Sequence, residues 1–546
     1  MTDNKVFIFG IDGATWDVLN PLIQNGSMPN LRRLIEDGIK GTLHSSIPPD
    51  TATAWTTFQT GVNPGKHGIF AFNQYTPGTY RPTFINSEKI LLDTIWQVIS
   101  QNDRRVIILN VPVTYPPYRV NGSMVTGLLT PSLKSHFTYP EELAHDILDF
   151  EADYTIITTQ QVFNRTSLQN FVDKLIYTEH KRTRVMRFLL AKKEWDVAMI
   201  HFQSTDPLQH AVYCYLDQTH PLYDQKKHNL VTKLYRSIDD NIGQLMEDLL
   251  PETLKIILSD HGFTSVHKTI HLNNFLINQG LMALRDKGIR SKKFLPILKL
   301  LRAIDQRLVR GLFSFAKVAN IRAKVKLDEF IDWENTKASM LSGWLYGMIH
   351  LNCQGRDPEG IVSMGNEYEE LRDMIKQKLL SLRDPETQTS PIKEVWKREE
   401  LYDGDSMEHA PDLIVIPEDG YEFSRSFITG SKDIIKKNVL KKDHTCTHTR
   451  QGIFVFSGNN ISGENPLNEA NIVDLFPTIL YSLGIPIPDY TDGKVLSELF
   501  TESFRNSHSI RYETHKDREK RKREKEAYSE KDANTIEQRL KDLGYM

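Results

Sequence analysis

Short, nearly continuous apolar runs recur along the chain: Lys5-Val-Phe-Ile-Phe-Gly-Ile11, Arg105-Val-Ile-Ile-Leu-Asn110, Trp195-Asp-Val-Ala-Met-Ile-His-Phe202, Leu254-Lys-Ile-Ile-Leu-Ser259 and Ile453-Phe-Val-Phe-Ser-Gly458. They lack the in–out alternation of a half-exposed strand, which predicts strands buried on both faces of a mostly parallel sheet. A further strand is expected around Gly41-Thr-Leu-His44. Between the runs the apolar spacing turns helical: Asn30 to a glycine stop at Gly38, residues 166 to 193, about Lys227 to Leu250, and Asn471 to a second glycine stop at Gly484. Strands alternating with helices predict an α/β fold, a doubly wound sheet with helices on both faces.

Residues 265 to 400 break this rhythm. Lys292 to Lys326 holds Lys292, Lys293, Lys299, Arg302, Arg307, Arg310, Lys317, Arg322, Lys324 and Lys326 against the single acid Asp305, interleaved with Leu, Ile, Phe and Val at roughly helical spacing. Such a stretch reads either as a helical insert with a solvated basic face or as a surface that meets anionic lipid or a polyanionic substrate. The strand pattern returns at Pro411 to Pro417, and from Arg511 to Glu526 dense alternating charge predicts an exposed helix or disorder. Asn534 to Leu543 can form a short amphipathic helix. The expected organisation is therefore a first core part over 1–264, a helical, basic cap over 265–400, a second core part over 401–504 and a charged tail over 505–546.

Candidate chemistry collects where strands end. The first run closes on Asp12-Gly13, and in a parallel sheet ligands gather at the carboxyl ends of the strands, although Asp12 alone also reads as a turn former. Asp206-Pro-Leu-Gln-His210 places a carboxylate and an imidazole four apart on one helix face, a metal-ligand spacing or a cap with a surface histidine. Asp260-His261-Gly262 sets the same two groups side by side at a strand end, and there we favour the functional reading. Asp50-Thr51-Ala-Thr-Ala-Trp55 opens a helix with Ala54, Trp55 and Phe58 on one face, so Thr51 is either part of an N-cap or a nucleophile beside unpaired N–H groups. His444 and His448 precede the strand at Ile453. Three aspartates and three histidines around a hydroxyl could hold two divalent ions, with N and O donors suited to zinc or manganese.

Composition narrows the class. Sixty-seven basic against 70 acidic residues give a net charge of −3, so specific nucleic-acid binding is not expected. Three scattered cysteines, Cys214, Cys353 and Cys446, are too few for a disulfide framework and suit a reducing compartment. No run approaches eighteen consecutive apolar residues and the chain opens without a signal-like segment, which reads as a cytoplasmic protein.

The order Asp12-Gly13, Thr51 before Thr60-Gly61, Asp206-x3-His210, Asp260-His261-Gly262 and a late histidine resembles the alkaline phosphatase superfamily, in its type I phosphodiesterase and nucleotide pyrophosphatase branch. Asn63-Pro-Gly-Lys-His-Gly-Ile-Phe70, Gly355-Arg-Asp-Pro-Glu-Gly-Ile361, Asp492-Gly-Lys-Val-Leu496, Asn471-Ile-Val-Asp474 and Arg539-Leu-Lys-Asp-Leu-Gly-Tyr545 resemble the predicted phosphohydrolases or phosphomutases of that branch. The resemblance implies a sheet of alkaline-phosphatase type and two ions, zinc first and manganese second. One would be held by Asp206, His210 and His448, the other by Asp12, Asp260 and His261 with Thr51. His448 is chosen over His444 because it stands four residues before Gly452-Ile453. It also implies a phosphodiesterase acting through a phosphothreonine on Thr51, with a phosphorylated small-molecule or lipid-linked substrate and residues 292–326 as a cap touching substrate or an anionic membrane. The alternatives are a phosphomutase or phosphomonoesterase of the same fold, or a non-catalytic binder of a phosphorylated ligand or membrane surface. Two departures stand out. The nucleotide pyrophosphatases follow the nucleophile with Phe-Pro-Asn-His where this chain has Ala52-Thr-Ala-Trp55, and their asparagine after His-Gly-Ile is displaced by one position to Asn73. The modified cysteine or serine of sulfatases is lacking. Lys66 and His67 read either as substrate contacts or as a structural turn, and neither is counted as catalytic.

Overall fold

The computed structural model describes residues 5–157, 167–285, 330–343, 345–425, 433–438, 445–462, 467–514 and 528–543. The basic stretch 292–326 and His444 lie outside them. The largest sheet has nine strands among the described residues. Val6–Ile11 is its centre, with Val197–Phe202 parallel on one side and Leu254–Leu258 parallel on the other. Outward from Val197–Phe202 follow Val106–Leu109 and Gly122–Val125, both parallel, and the antiparallel Thr138–Tyr139. Beyond Leu254–Leu258 comes Gln451–Ser457, antiparallel to both neighbours, then Gly38–His44 and Glu469–Asn471.

Successive residues of a strand point to opposite faces, which is why these runs are apolar throughout. Phe7, Phe9, Ile11, Ala198, Ile200 and Phe202 pack into a layer with the helices Leu168–Lys192 and Gln225–Glu247. Val6, Ile8, Val197, Met199, Ile256 and Leu258 face the other way, against Trp55 and Phe58 of the helix Thr51–Thr60 and Phe476 and Ile479 of the helix Leu475–Ser482. Because Gln451–Ser457 runs opposite to the parallel strands, its beginning lies at the edge where they end, with Gln451 opposite His44 and Phe454 opposite Leu258. That edge receives every candidate ligand.

The insertion differs from expectation. Its described part carries a four-stranded antiparallel sheet in the order Ala338–Ser342, Gly347–Leu351, Leu413–Pro417, Ile392–Lys397. The helix Asn366–Leu380 packs on it through Tyr368, Leu371, Ile375 and Leu379. Leu413–Pro417, assigned above to the second core part, is thus an inner strand of the insertion, which runs past residue 400 to Ile435–Lys437, paired with Lys268–His271. A run such as Leu-Ile-Val-Ile specifies a buried strand but not which sheet it joins.

Gly355-Arg356-Asp357 proves to be internal architecture. The Arg356 guanidinium donates to both Asp412 oxygens at 2.8 Å, Tyr368 Oη donates to Asp412 at 2.7 Å and the Leu351 amide does so at 2.7 Å. Tyr75 from the first core part hydrogen-bonds Asp357 and stacks on His350, tying that part to the insertion. The turn at residues 63–68 is structural as well: Asn63 caps Pro64–His67, Gly68 adopts φ +86°, and Lys66 pairs with Asp492. In the tail, Tyr512–Glu513 pairs with Ile487–Pro488, and the expected helix forms over Glu530–Asp542.

Candidate metal centre

All ten residues of the helix Thr51–Thr60 are buried, although six of them are polar. Two of its hydroxyls are satisfied by the helix itself, Thr56 and Thr60 donating to carbonyls four residues back at 2.7 Å, and Thr57 Oγ1 lies 3.1 Å from His67 Nε2, which helps a threonine-rich helix cross the interior. Asp50 takes the capping role, accepting from the Ala52 amide at 3.0 Å. Thr51 Oγ1 lies 3.1 Å from His261 Nε2. The nucleophile and N-cap readings of this turn therefore fall on adjacent residues.

The other six predicted residues form two groups, Asp206/His210/His448 and Asp12/Asp260/His261, each with donor atoms within 4.8 Å of one another. Asp206 Oδ1 stands 3.3 Å from His210 Nε2 and 3.5 Å from His448 Nε2. His261 Nε2 stands 3.3 Å from Asp260 Oδ2 and 3.5 Å from Asp12 Oδ1. His448 arrives on a short strand of its own, Cys446–Thr449, antiparallel to Gly262–Ser265, where the sequence placed it only ahead of the strand at Ile453. That pairing stacks the His448 and His261 rings with centroids 3.5 Å apart and joins the two groups. Gly13, at φ +65°, is required here because a Cβ would stand 2.4 Å from the Phe263 ring.

The hydrogen-bond network assigns the histidine tautomers. His448 Nδ1 donates to the Pro49 carbonyl at 3.0 Å and His261 Nδ1 to that of Gly262 at 3.2 Å, so both Nε2 lone pairs face the clusters. Burial pushes both imidazoles below their ordinary range, which keeps them neutral donors. Burial would push Asp206 up, but His210 and His448 outweigh it and hold the carboxyl below its usual value. Asp12 and Asp260 are raised well above theirs, first by burial; the neighbouring carboxylates, Asp206 for both and Asp260 for Asp12, add to it. Both Asp12 oxygens and Asp260 Oδ2 are buried without a well-formed hydrogen bond among the described residues. Buried carboxylates crowded by like charge, beside imidazole lone pairs, are a donor set that fits divalent cations.

Three residues of the surroundings escaped the sequence reading. His201, in the strand Val197–Phe202 beside the central one, is fully buried with Nε2 3.1 Å from Asp12 Oδ2 and its ring edge-on to Trp55. Its signal was a lone imidazole inside an otherwise apolar strand. Glu179 and Arg182 pair at 2.6 Å in the interior, and Glu179 accepts from the Ser204 amide at 2.9 Å, fixing the turn that carries Asp206. Charges on the inner face of a long helix were their signal.

The sequence model of the type I phosphodiesterase / nucleotide pyrophosphatase family matches residues 6–446. The chain belongs to that family. Membership places it among the phosphoester hydrolases, and the sheet agrees with solved structures of alkaline-phosphatase type. Murine ectonucleotide pyrophosphatase/phosphodiesterase 5, in an inactive threonine-to-alanine variant bound to AMP, is 13% identical with a TM-score of 0.50, covering 91% of this chain and 100% of that one. Phosphonoacetate hydrolase from Sinorhizobium meliloti 1021, in complex with phosphonoformate, is 15% identical with a TM-score of 0.55, covering 88% and 96%. No curated protein matches the chain. No helix among the described residues is long and apolar enough to cross a membrane.

Proposed function

We propose that this family member is a phosphodiesterase that cleaves its ester through a phosphothreonine on Thr51, with two divalent ions at the two three-residue groups. The observation that carries the reading is Thr51 Oγ1 in the first turn of a buried helix, 3.1 Å from a ligand imidazole of one group whose ring stacks on a ligand of the other. Asp206, His210 and His448 would hold one ion; Asp12, Asp260 and His261, with Thr51, the other. Zinc fits this N/O set first and manganese second. Bound there, the ions would lower the pKa of an oxygen nucleophile and neutralise charge developing on phosphoryl oxygens.

The chain's own residues do the rest. The positive end of the helix Thr51–Thr60 favours the anionic group at its first turn. Thr51 Oγ1 attacks phosphorus, the bond to the leaving oxygen breaks, and the threonine proton passes to the leaving group or to solvent. Water then attacks phosphorus from the opposite side, the Thr51–phosphorus bond breaks, and the hydroxyl is restored. His448 and His261, locked through Nδ1, keep their Nε2 atoms aimed at the reaction edge. The inactive threonine-to-alanine variant of the murine relative is consistent with such a nucleophile. The substrate class remains our earlier expectation, a phosphorylated small molecule or lipid-linked ester, with residues 292–326 meeting it or an anionic membrane. Three cysteines scattered through the chain, too few for a disulfide framework, support a reducing compartment, the cytoplasm.

The test compares zinc- and manganese-loaded protein on bis(p-nitrophenyl) phosphate and p-nitrophenyl phosphate, with Thr51→Ala beside each. We expect the diester to be preferred and turnover in Thr51→Ala to fall at least ~1000-fold with metal content retained. Undiminished turnover in the variant removes Thr51 from the reaction, and a monoester preference replaces the diesterase reading with a phosphatase or mutase.

A further inference from the structure

The closing helix Glu530–Asp542 is distant in sequence from the reaction edge yet joins the apolar cluster that reaches the first turn of the helix Thr51–Thr60. Ile536, Leu540 and Leu543 are fully buried in one apolar cluster with Ile69, Phe72, Val113, Leu128, Leu129 and Ala52, the residue that follows Thr51. Two loops take part, 111–115 and 127–131. They follow the parallel strands Val106–Leu109 and Gly122–Val125, so topology brings them to the same edge as Asp12.

Both loops contain a side chain where a side chain is disfavoured. Val113 sits at φ +59° and Leu129 at φ +84°, left-handed conformations that a β-branched or bulky residue adopts only when its surroundings impose them. Gly127 closes on the other loop so tightly that a Cβ would meet the Asn110 carbonyl oxygen at 2.2 Å. The loops are cross-linked by Thr114 Oγ1, which donates to the Val111 carbonyl at 2.6 Å and accepts from the Gly127 amide at 3.1 Å. Gln59 of the nucleophile helix donates to the Pro112 carbonyl at 3.1 Å.

The closing segment grips the carbonyls of the strained turn. Tyr528 Oη donates to Leu129 O at 3.2 Å and its ring stacks on Tyr115 at 5.8 Å. The Arg539 guanidinium donates to Thr130 O and, at 2.8 Å, to Pro131 O. A guanidinium spanning two successive carbonyls fixes both the position and the rotation of the peptide between them. We propose that the helix Glu530–Asp542 is a clamp that holds loops 111–115 and 127–131 in their strained form beside Thr51, with Arg539 and Tyr528 as positioning residues for the reaction. The clamp rests on the reading of Thr51 as nucleophile.

The test uses the full-length chain with Arg539→Gln, Arg539→Lys and Thr51→Ala, the zinc-loaded proteins and bis(p-nitrophenyl) phosphate. Hydrogen exchange of peptides spanning 111–131 and kcat per folded molecule are measured together. In Arg539→Gln we expect exchange of that span to rise and kcat to fall about tenfold with KM within about twofold, as small displacements of reacting groups cost rate more than binding. Arg539→Lys, which keeps the charge but only one carbonyl contact at a time, should restore part of both. Unchanged exchange in Arg539→Gln, or faster exchange with unchanged kcat, overturns the clamp. So does a loss of activity that merely tracks the loss of folded protein. Normal turnover in Thr51→Ala would instead remove the nucleophile reading, leaving exchange alone to decide on the clamp.

Discussion

Asp412 in the insertion and Asp12 at the reaction edge are both fully shielded from water, yet burial has opposite outcomes for them. Asp412 meets two guanidinium N–H groups, a tyrosine hydroxyl and a backbone amide, and these hold its carboxyl below the ordinary range against the pull of burial. Asp12 faces Asp260 and Asp206 and is raised well above that range. One cluster brings its own counter-charge and ties the insertion's sheet to its helix. The other leaves a deficit of positive charge that the described residues do not make good. A buried carboxylate is therefore read by its partners: completed networks mark architecture, and incomplete ones mark where something else binds.

The comparison breaks most sharply at Asp412. Asp412→Ala leaves the partly buried Arg356 with Asp357 in place of its two-pronged partner, strands the Tyr368 hydroxyl and the Leu351 amide, and should lower stability by about 3 kcal/mol. The loss should appear as early unfolding in a urea titration while Thr51-dependent turnover of the surviving folded protein stays normal. A change below ~1 kcal/mol would show that the network is dispensable.

The reaction edge should respond in the reverse sense. Loading with zinc at ~100-fold above its dissociation constant should stabilise the wild type by about 2.7 kcal/mol relative to chelated protein. Asp260→Asn, which relieves the crowding of carboxylates, should raise the melting temperature of the chelated protein and shrink the zinc-induced shift. Equal shifts in both proteins would detach Asp260 from cation binding.

Over the single pH unit from 6 to 5 the smallest effect, about 1.4 kcal/mol, concerns His350, stacked on Tyr75 at 4.6 Å and held neutral by burial with its pKa pushed down to about 3. The unfolded chain takes up this proton near pH 6.5 and the folded chain does not, so the contribution is full above that pH. It declines on acidification toward pH 3 by roughly 1.4 kcal/mol per pH unit. His350→Phe should flatten that slope between pH 6 and 5; an unchanged slope would assign the acid sensitivity elsewhere.

Legibility in the sequence followed local patterning. Doubly buried strands cannot hide their apolar runs, and strand-end polar residues such as Asp12 and Asp260 stand out against them, so the large sheet and these single candidates could be read from the chain, whereas the division into two three-residue groups, and the choice of His448, came from the family resemblance. Partner choice could not. Leu413–Pro417 carries the same signal whichever sheet it enters, and the strand bearing His448 is set by its pairing with Gly262–Ser265, not by its own composition. His201 was missed for a related reason: one imidazole in an apolar run becomes meaningful only when the neighbouring strand sets Asp12 beside it.

The antiparallel strand Gln451–Ser457 also has a consequence for assembly in time. Asp12, Asp260 and His261 have all been synthesised once the chain reaches residue 261, whereas the second group waits for His448. Gly38–His44, the strand that leads to Thr51, joins the rest of the large sheet through Gln451–Ser457 alone among the described residues. Its docking must close a loop of several hundred residues, a contact of high sequence separation and slow formation. The Thr51 hydroxyl therefore comes into register late, after the insertion has been made, and a nascent chain holds Asp12, Asp260 and His261 long before the strand that leads to Thr51 has a docking partner.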